Sequence, residues 1–253
     1  MARKKNVALV LDMSGSMQAM VKQAIDGFNE HLQVAVQDEQ QGYDIRMWVT
    51  LFNQDVSVLA AGVAPSAVAQ FDDTLYRPAG ATALQDAVGL TVERMRAETA
   101  GETDSLYLVV VVTDGGENAS TSFSGHSGFE RLRGLLAECQ DTQRWTVAFV
   151  GVAGLEGFAQ SLGIPASNVA VYTASPAGVA VMASASADNV YSYFLAANAG
   201  ASGRALSENY AGPTVGPVYW TTSSASTSGG NVVTDFTSPG TKVFPSGVHR
   251  TTA

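Results

Sequence analysis

The sequence predicts an α/β fold built on a doubly wound, mainly parallel sheet with helices on both faces. Three observations carry that expectation. Short apolar runs of strand length alternate with stretches whose apolar residues recur every three or four positions. One run, Leu106 to Val112, is apolar on both faces, as a central parallel strand covered on each side must be. Several strands also lead into loops that carry Asp, Ser or Thr, the kind of loop that gathers at the carboxyl edge of such a sheet. The 253 residues, 46% hydrophobic and 15% charged, suit one large globular domain with an appendage.

The elements follow in order. Val7, Leu9 and Leu11 belong to a strand that ends at Asp12 and enters the turn-rich Ser14-Gly15-Ser16. From Met17 the period changes, and Val21, Ile25, Phe28, Leu32 and Ala35 mark one face of an amphipathic helix. Ile45, Met47, Val49 and Leu51 alternate with Arg46, Trp48, Thr50 and Phe52, and Asn53-Gln54-Asp55 then leads into Val56 to Val63, a hairpin partner. Thr82 precedes a helix bearing Leu84, Ala87, Val88, Thr91, Val92 and Met95. The strand Leu106 to Val112 opens into a loop with Asp114. Phe129 to Cys139 reads as helix, Trp145 to Val150 as strand, Leu155 to Leu162 as helix and Asn168 to Tyr172 as a short strand. Ser175 and Pro176 form an N-cap and first-turn pair for a last helix running to about Ala197.

These elements place a domain at residues 1–202 and a Ser/Thr/Gly-rich tail at 203–253. Between Thr221 and Gly230 only Ala225 is not Ser, Thr or Gly. Val215, Val218, Tyr219 and Trp220 on one side and Val232, Val233 and Phe236 on the other leave a mobile tail, a hairpin and a strand docking on a partner all open.

Composition excludes some classes of function. No apolar run approaches the roughly 20 residues of a membrane-spanning helix. A net charge of -9 argues against a nucleic-acid surface, which needs clustered Lys and Arg. The single cysteine, Cys139, forms no internal disulfide and supplies no thiolate cluster, which suits a reducing compartment. Met1 to Lys5 has the charge of a signal-peptide n-region, but the apolar stretch from Val7 stops at Asp12, so the expectation is a cytoplasmic protein whose first strand begins at once.

The chemistry-bearing pattern is Asp12-Met13-Ser14-Gly15-Ser16, three oxygen-bearing side chains at alternate positions of a strand-to-helix loop. Thr82 and Asp114 lie on two further loops expected at the same sheet edge. Hydroxyl, carboxylate and water oxygens are hard ligands, suited to Mg²⁺ first and alternatively to Mn²⁺ or Ca²⁺, whereas the lack of clustered His and Cys disfavours zinc. The plainer alternative is a polar turn that merely caps the following helix.

Together, Asp12-x-Ser14-x-Ser16, Thr82 after Gly80-Ala81, and Thr113-Asp114-Gly115 resemble the metal-ion-dependent adhesion site of von Willebrand factor A domains, over roughly residues 5–202. The resemblance implies a Rossmann-like sheet of six strands with one antiparallel edge strand. It also implies that Ser14 and Ser16 bind the metal directly, that Asp12 and Asp114 act largely through water, and that the involvement of Thr82 varies with ligand state. A glutamate or aspartate of a protein partner then completes the coordination sphere, and the last helix can shift. Neutral hydroxyls around the ion leave it more electrophilic than a carboxylate cage would, which favours an external anion. Thr113-Asp114-Gly115-Gly116-Glu117-Asn118 resembles the version common among intracellular bacterial members, and phage-encoded factors are among the settings this suggests.

Around the motif, Asn118 is expected to brace the loop and Glu117 to be a solvated acid, while Phe123, His126 and Phe129 form a candidate partner-reading rim. His31, His126 and His249 show no ligand spacing and read as surface or helix residues. Cys139 reads as a buried small hydrophobe, Trp48 and Trp145 as core or sheet-face residues, and Trp220 as an aromatic in need of burial. The resulting function is a non-enzymatic, metal-dependent protein-binding module. An assembly protein, such as a virion or homo-oligomer building block that uses the tail, is the alternative. A metal-dependent phosphohydrolase is disfavoured, because Ser14 stands where a haloacid-dehalogenase phosphatase carries its second acid.

Overall fold

A computed structural model describes residues 3–172, 176–208, 210, 218–221 and 249–252. Strands β1 (Lys4–Asp12), β2 (Ile45–Phe52), β3 (Val56–Val63), β4 (Ser105–Thr113), β5 (Trp145–Val152) and β6 (Val169–Tyr172) alternate with helices α1 (Val21–Gln40), α2 (Leu84–Glu98), α3 (Gly125–Asp141), α4 (Leu155–Ser161) and α5 (Pro176–Asn198). In space these strands run β3-β2-β1-β4-β5-β6, all parallel except β3, which pairs antiparallel with β2. The six-stranded mixed sheet is the one expected. The N-cap assigned to Ser175 lies outside the described residues.

The sheet does not stop at β6. A short helix, α6 (Gly203–Ser207), is followed by β7 (Val218–Thr221), parallel to β6, and by β8 (His249–Thr252), antiparallel to β7. β7 takes up Val218, Tyr219 and Trp220 of the tail, whereas Val232, Val233 and Phe236 lie outside the described residues and β8 is a strand the sequence did not announce; among the described residues the sheet has eight strands. Leu206 and Tyr210 lie in the same apolar cluster as α5, so the tail begins with a segment seated on the domain.

Strand alternation sorts the core into two layers. Val7, Leu9 and Leu11 of β1 and Leu106, Leu108 and Val110 of β4 face α1 and α5, meeting Phe28, Leu32, Val190 and Phe194. Ala8, Val10, Tyr107, Val109 and Val111 face the other way, against Leu84, Val88, Leu132, Leu136 and Ala159 of α2, α3 and α4. β1 and β4 bury apolar side chains on both faces, which is why they read as continuous apolar runs. Cys139 and both strand tryptophans, Trp48 and Trp145, are buried in the second layer, as expected, and burial pushes the Cys139 thiol up to about 11. Among the described residues no helix is long and apolar enough to cross a membrane.

Polar groups lock the first layer at two points. Lys5, buried in β1, pairs with Asp38 of α1 at 2.5 Å and donates to Asn198 of α5, while Asn198 Nδ2 donates to Asp38 Oδ1 at 2.8 Å. Burial lowers the Lys5 pKa, and Asp38 works against that shift. His31, read from the sequence as a surface or helix residue, lies in helix α1, with its side chain buried between α1 and α5. Its Nδ1 lies 2.7 Å from the Gly27 carbonyl, which can only accept, so Nδ1 carries the proton and Nε2 accepts from Ser186 Oγ at 2.9 Å.

Removing one member of a buried pair strands the other, at a cost of about 3–5 kcal/mol. Asp38→Ala is therefore expected to lose about that much in urea unfolding, whereas the double variant Lys5→Met, Asp38→Leu loses clearly less. Burial also lowers the His31 pKa from its usual 6.5. The unfolded chain then takes up a proton that the folded chain refuses, so stability is complete above pH 6.5 and declines as pH falls below it. Urea midpoints measured across that window are expected to fall less steeply with pH in His31→Gln.

Candidate functional site

The strand order changes direction between β1 and β4: from β1 the chain passes to β2 on one side, and β4 lies on the other. A crevice at the carboxyl ends of strands flanking such a point is where open parallel sheets bind ligands. Asp12 ends β1 and Thr113 ends β4, so both of their loops open there. The Asp12 carboxylate is 1% exposed and each oxygen accepts one hydrogen bond from the chain: Oδ1 from the Ser14 amide at 2.7 Å and Oδ2 from Thr113 Oγ1 at 2.5 Å. Its main-chain oxygen accepts from the Tyr76 hydroxyl, which anchors the long connection between β3 and α2.

From this anchor the other predicted side chains converge. Ser14 Oγ lies 3.0 Å from Ser16 Oγ, and Ser16 Oγ donates to Asp114 Oδ1 at 2.7 Å. The third loop is laced to the first by backbone bonds, Gly15 N to Gly80 O at 3.0 Å and Ala79 N to Met13 O at 2.9 Å. Gly80 sits at φ +80°, a left-handed conformation that a side chain disfavours, and so delivers Thr82 to the crevice. Asn118 braces Thr82 as expected: its Oδ1 accepts from Thr82 N at 2.7 Å and its amide donates to Thr82 O at 3.0 Å.

A single point measures the convergence. The position that a Cβ would take on Gly115 lies 3.4 Å from Thr82 Oγ1, 3.7 Å from Ser16 Oγ and 3.9 Å from Asp12 Oδ2. Oxygens from the first and third loops thus border one small volume above Gly115 of the loop after β4, so all three loops meet there. The structure brings Asp12, Ser14, Ser16, Thr82 and Asp114 together, and all five contribute oxygen. Such a donor set fits a hard divalent cation, and among the described residues no cluster of three or more His, Cys, Asp or Glu offers a competing site. The electrostatics agree. Burial raises the Asp12 pKa, hydrogen bonds from Ser14 and Thr113 oppose the rise, and the neighbouring Asp114 charge adds to it, so a cation here would relieve an unfavourable pair of carboxylates.

Two expectations around the motif are corrected. Glu117 is not a solvated acid: its carboxylate accepts from Gln85 N, Ala119 N, Ser120 N and Ser120 Oγ at 2.6–2.9 Å, closing the loop after β4 onto the first turn of α2. Phe123 is not a rim residue either. It is fully buried, filling the space opposite Gly89 of α2, where a Cβ would come within 2.3 Å of its ring. Phe129 packs against the second layer, and of the three only His126 is exposed.

Sequence reasoning also missed Asp86. Burial alone would raise its pKa, but the amides of Thr121, Phe123 and Ser122 outweigh that and hold it below the usual carboxylate value, so it shapes the same loop as an anion. An acid in the first turn of a helix was the available signal. Tyr76 gave none, because its partner is 64 residues away on a carbonyl that carries no side-chain identity.

The chain resembles the structure titled von Willebrand factor type A from Catenulispora acidiphila (TM-score 0.52, 16% identity, 75% of this chain and 43% of that one). It also resembles the open conformation of the pilus adhesin SpaC from Lactobacillus rhamnosus GG (TM-score 0.58, 15% identity, 76% and 30%). A third similar structure is the manganese-loaded TRAP protein of Plasmodium vivax (TM-score 0.51, 14% identity, 71% and 72%). At these identities the likeness is one of fold, and the chain spans less than half the length of the first two. No curated protein matches it in sequence. The sequence profile of the von Willebrand factor type A domain covers residues 6–194, three quarters of the chain, and the chain belongs to that family.

Proposed function

We propose that this domain is a non-enzymatic protein-binding module whose metal is held by Asp12, Ser14, Ser16, Thr82 and Asp114. Mg²⁺ is the ion expected in the cell, and Mn²⁺ or Ca²⁺ would satisfy the same oxygens. The observation that carries the reading is the shared point above Gly115, where the loop after β4 meets the Thr82 oxygen from one loop and the Ser16 and Asp12 oxygens from another. The two serine hydroxyls bind the ion directly and the two aspartates balance its charge. The ion when bound supplies a Lewis-acidic corner for an aspartate or glutamate of a protein partner. The adhesin and the manganese-loaded protein of the same fold support a metal-linked binding role without identifying this chain's partner. A cytoplasmic setting, suggested by the single cysteine, remains part of this reading.

Gly115→Ala tests the reading with little risk to the fold. Its Cβ would meet neighbours at 3.4–3.9 Å, ordinary contact distances, and the glycine is not among those with positive φ, yet the methyl group would occupy the centre of the site. Isothermal titration with Mg²⁺ or Mn²⁺ is expected to show one site in the wild type. Gly115→Ala and the pair Ser14→Ala, Ser16→Ala should lose at least about tenfold in affinity, or about 1.4 kcal/mol, with unchanged far-UV dichroism. Equal affinity in all three proteins would remove these residues from the metal site.

A further inference from the structure

Beside the site, between the ends of β4 and β5, lies a second recess of about 340 Å³. It shares Thr113, Asp114 and Gly115 with the crevice just described and extends from them toward α4. Its far wall is apolar: Leu84, Val152, Leu155 and Phe158. That wall is firmly built. Gly151 has no side chain, and a Cβ there would come within 2.4 Å of both Leu155 Cδ2 and Thr113 O, so Leu155 closes directly onto the end of the sheet. Phe158 is held edge-on by Phe129 and Phe149, with ring centroids at 6.3 and 6.0 Å. On the near side Gly116 and Gly154 present no side chains, and a Cβ on either would find nothing within 4 Å, so the mouth is open.

The charges at the mouth define what can enter. Asp114 faces the crevice and accepts from Ser16, and Glu117 spends its carboxylate on four donors of its own loop and of α2. A second acid entering here would be repelled by both, and no lysine or arginine lines the recess to receive one. A basic side chain would find Glu117 already taking four donors and would leave water for walls that are otherwise apolar, whereas an uncharged side chain with apolar surface exchanges water for the Leu155 and Phe158 walls without that cost.

We propose that this recess is a specificity pocket for the residue adjacent to the partner's metal-binding acid, and that it takes a large apolar side chain of leucine or phenylalanine size. The proposal rests on the metal-site reading above, because the acid is what places the neighbouring residue over the recess. The recognised feature is then a dipeptide, one acidic and one large apolar residue, read by two adjoining compartments that share Asp114.

The test uses synthetic peptides with a central glutamate flanked on both sides by alanine, serine, leucine or phenylalanine, with glycine beyond, titrated into the full chain with Mg²⁺ or with EDTA and followed by NMR. Leucine and phenylalanine peptides are expected to bind about tenfold more tightly than alanine or serine peptides, in Mg²⁺ only. Ala153→Trp, an exposed position on the recess, should erase that advantage by filling the space while leaving Mg²⁺-dependent binding of the alanine peptide intact. Equal Mg²⁺-dependent affinity for all peptides would overturn the pocket and leave the metal reading standing. Binding that ignores EDTA, or no binding of any peptide, would overturn the metal reading and the pocket with it.

Discussion

The site depends on the carboxylate of Asp12, which is where three segments of chain are tied together. One oxygen holds the Ser14 amide, the other holds the Thr113 hydroxyl, and the residue's own carbonyl takes the Tyr76 hydroxyl. A carboxylate this deeply buried is costly unless it is hydrogen-bonded, and here the bonds it accepts on both oxygens position the loops. Ser14 and Ser16 follow from the first bond, Asp114 and Gly115 from the second, and the approach of the Thr82 loop from the third. The parallel sheet makes this possible by ending β1 and β4 side by side, in register through Leu11 and Val112.

The same logic separates what positions the site from what forms it. Glu117 and Asp86 fix the loop after β4 against the start of α2, and Asn118 holds Thr82 through its side-chain oxygen and its main-chain amide. The turn of Phe123 into the core belongs to this arrangement, since the amide of Phe123 is bound by Asp86 while its ring packs over Gly89. On the opposite layer, Lys5 with Asp38 and Asn198, and His31 with Ser186, clamp α5 to α1. Buried polar pairs of this kind confer little net stability, but they define one way for two apolar helices to meet.

Much of this was legible in the sequence because it is local. Apolar periodicity and apolar runs located strands β1 to β6 and helices α1 to α4, a cap pair located α5, and the five oxygen-bearing residues stand at or near the ends of those elements. What was not legible is nonlocal. Phe123 looked like a rim residue because its neighbours are Ser and Gly, and only the facing Gly89, 34 positions earlier, reveals the space it fills. Glu117 looked solvated because its donors lie partly on another element. His31 gave no sign of burial because its partner, Ser186, is 155 residues away. The strands β7 and β8 fall in a composition that reads as linker, and their pairing is set by the exposed edge of β6 rather than by their own period.

The central claim is that three loops at the carboxyl edge of the sheet hold one hard divalent cation. Its most direct test is X-ray diffraction from crystals of the protein grown with Mn²⁺, with data collected for the anomalous signal of the ion. A single strong peak is expected, bounded by Asp12, Ser14, Ser16, Thr82 and Asp114 and within coordination distance of both serine hydroxyls. A well-ordered crevice with no peak, or a peak confined to other residues, would contradict it.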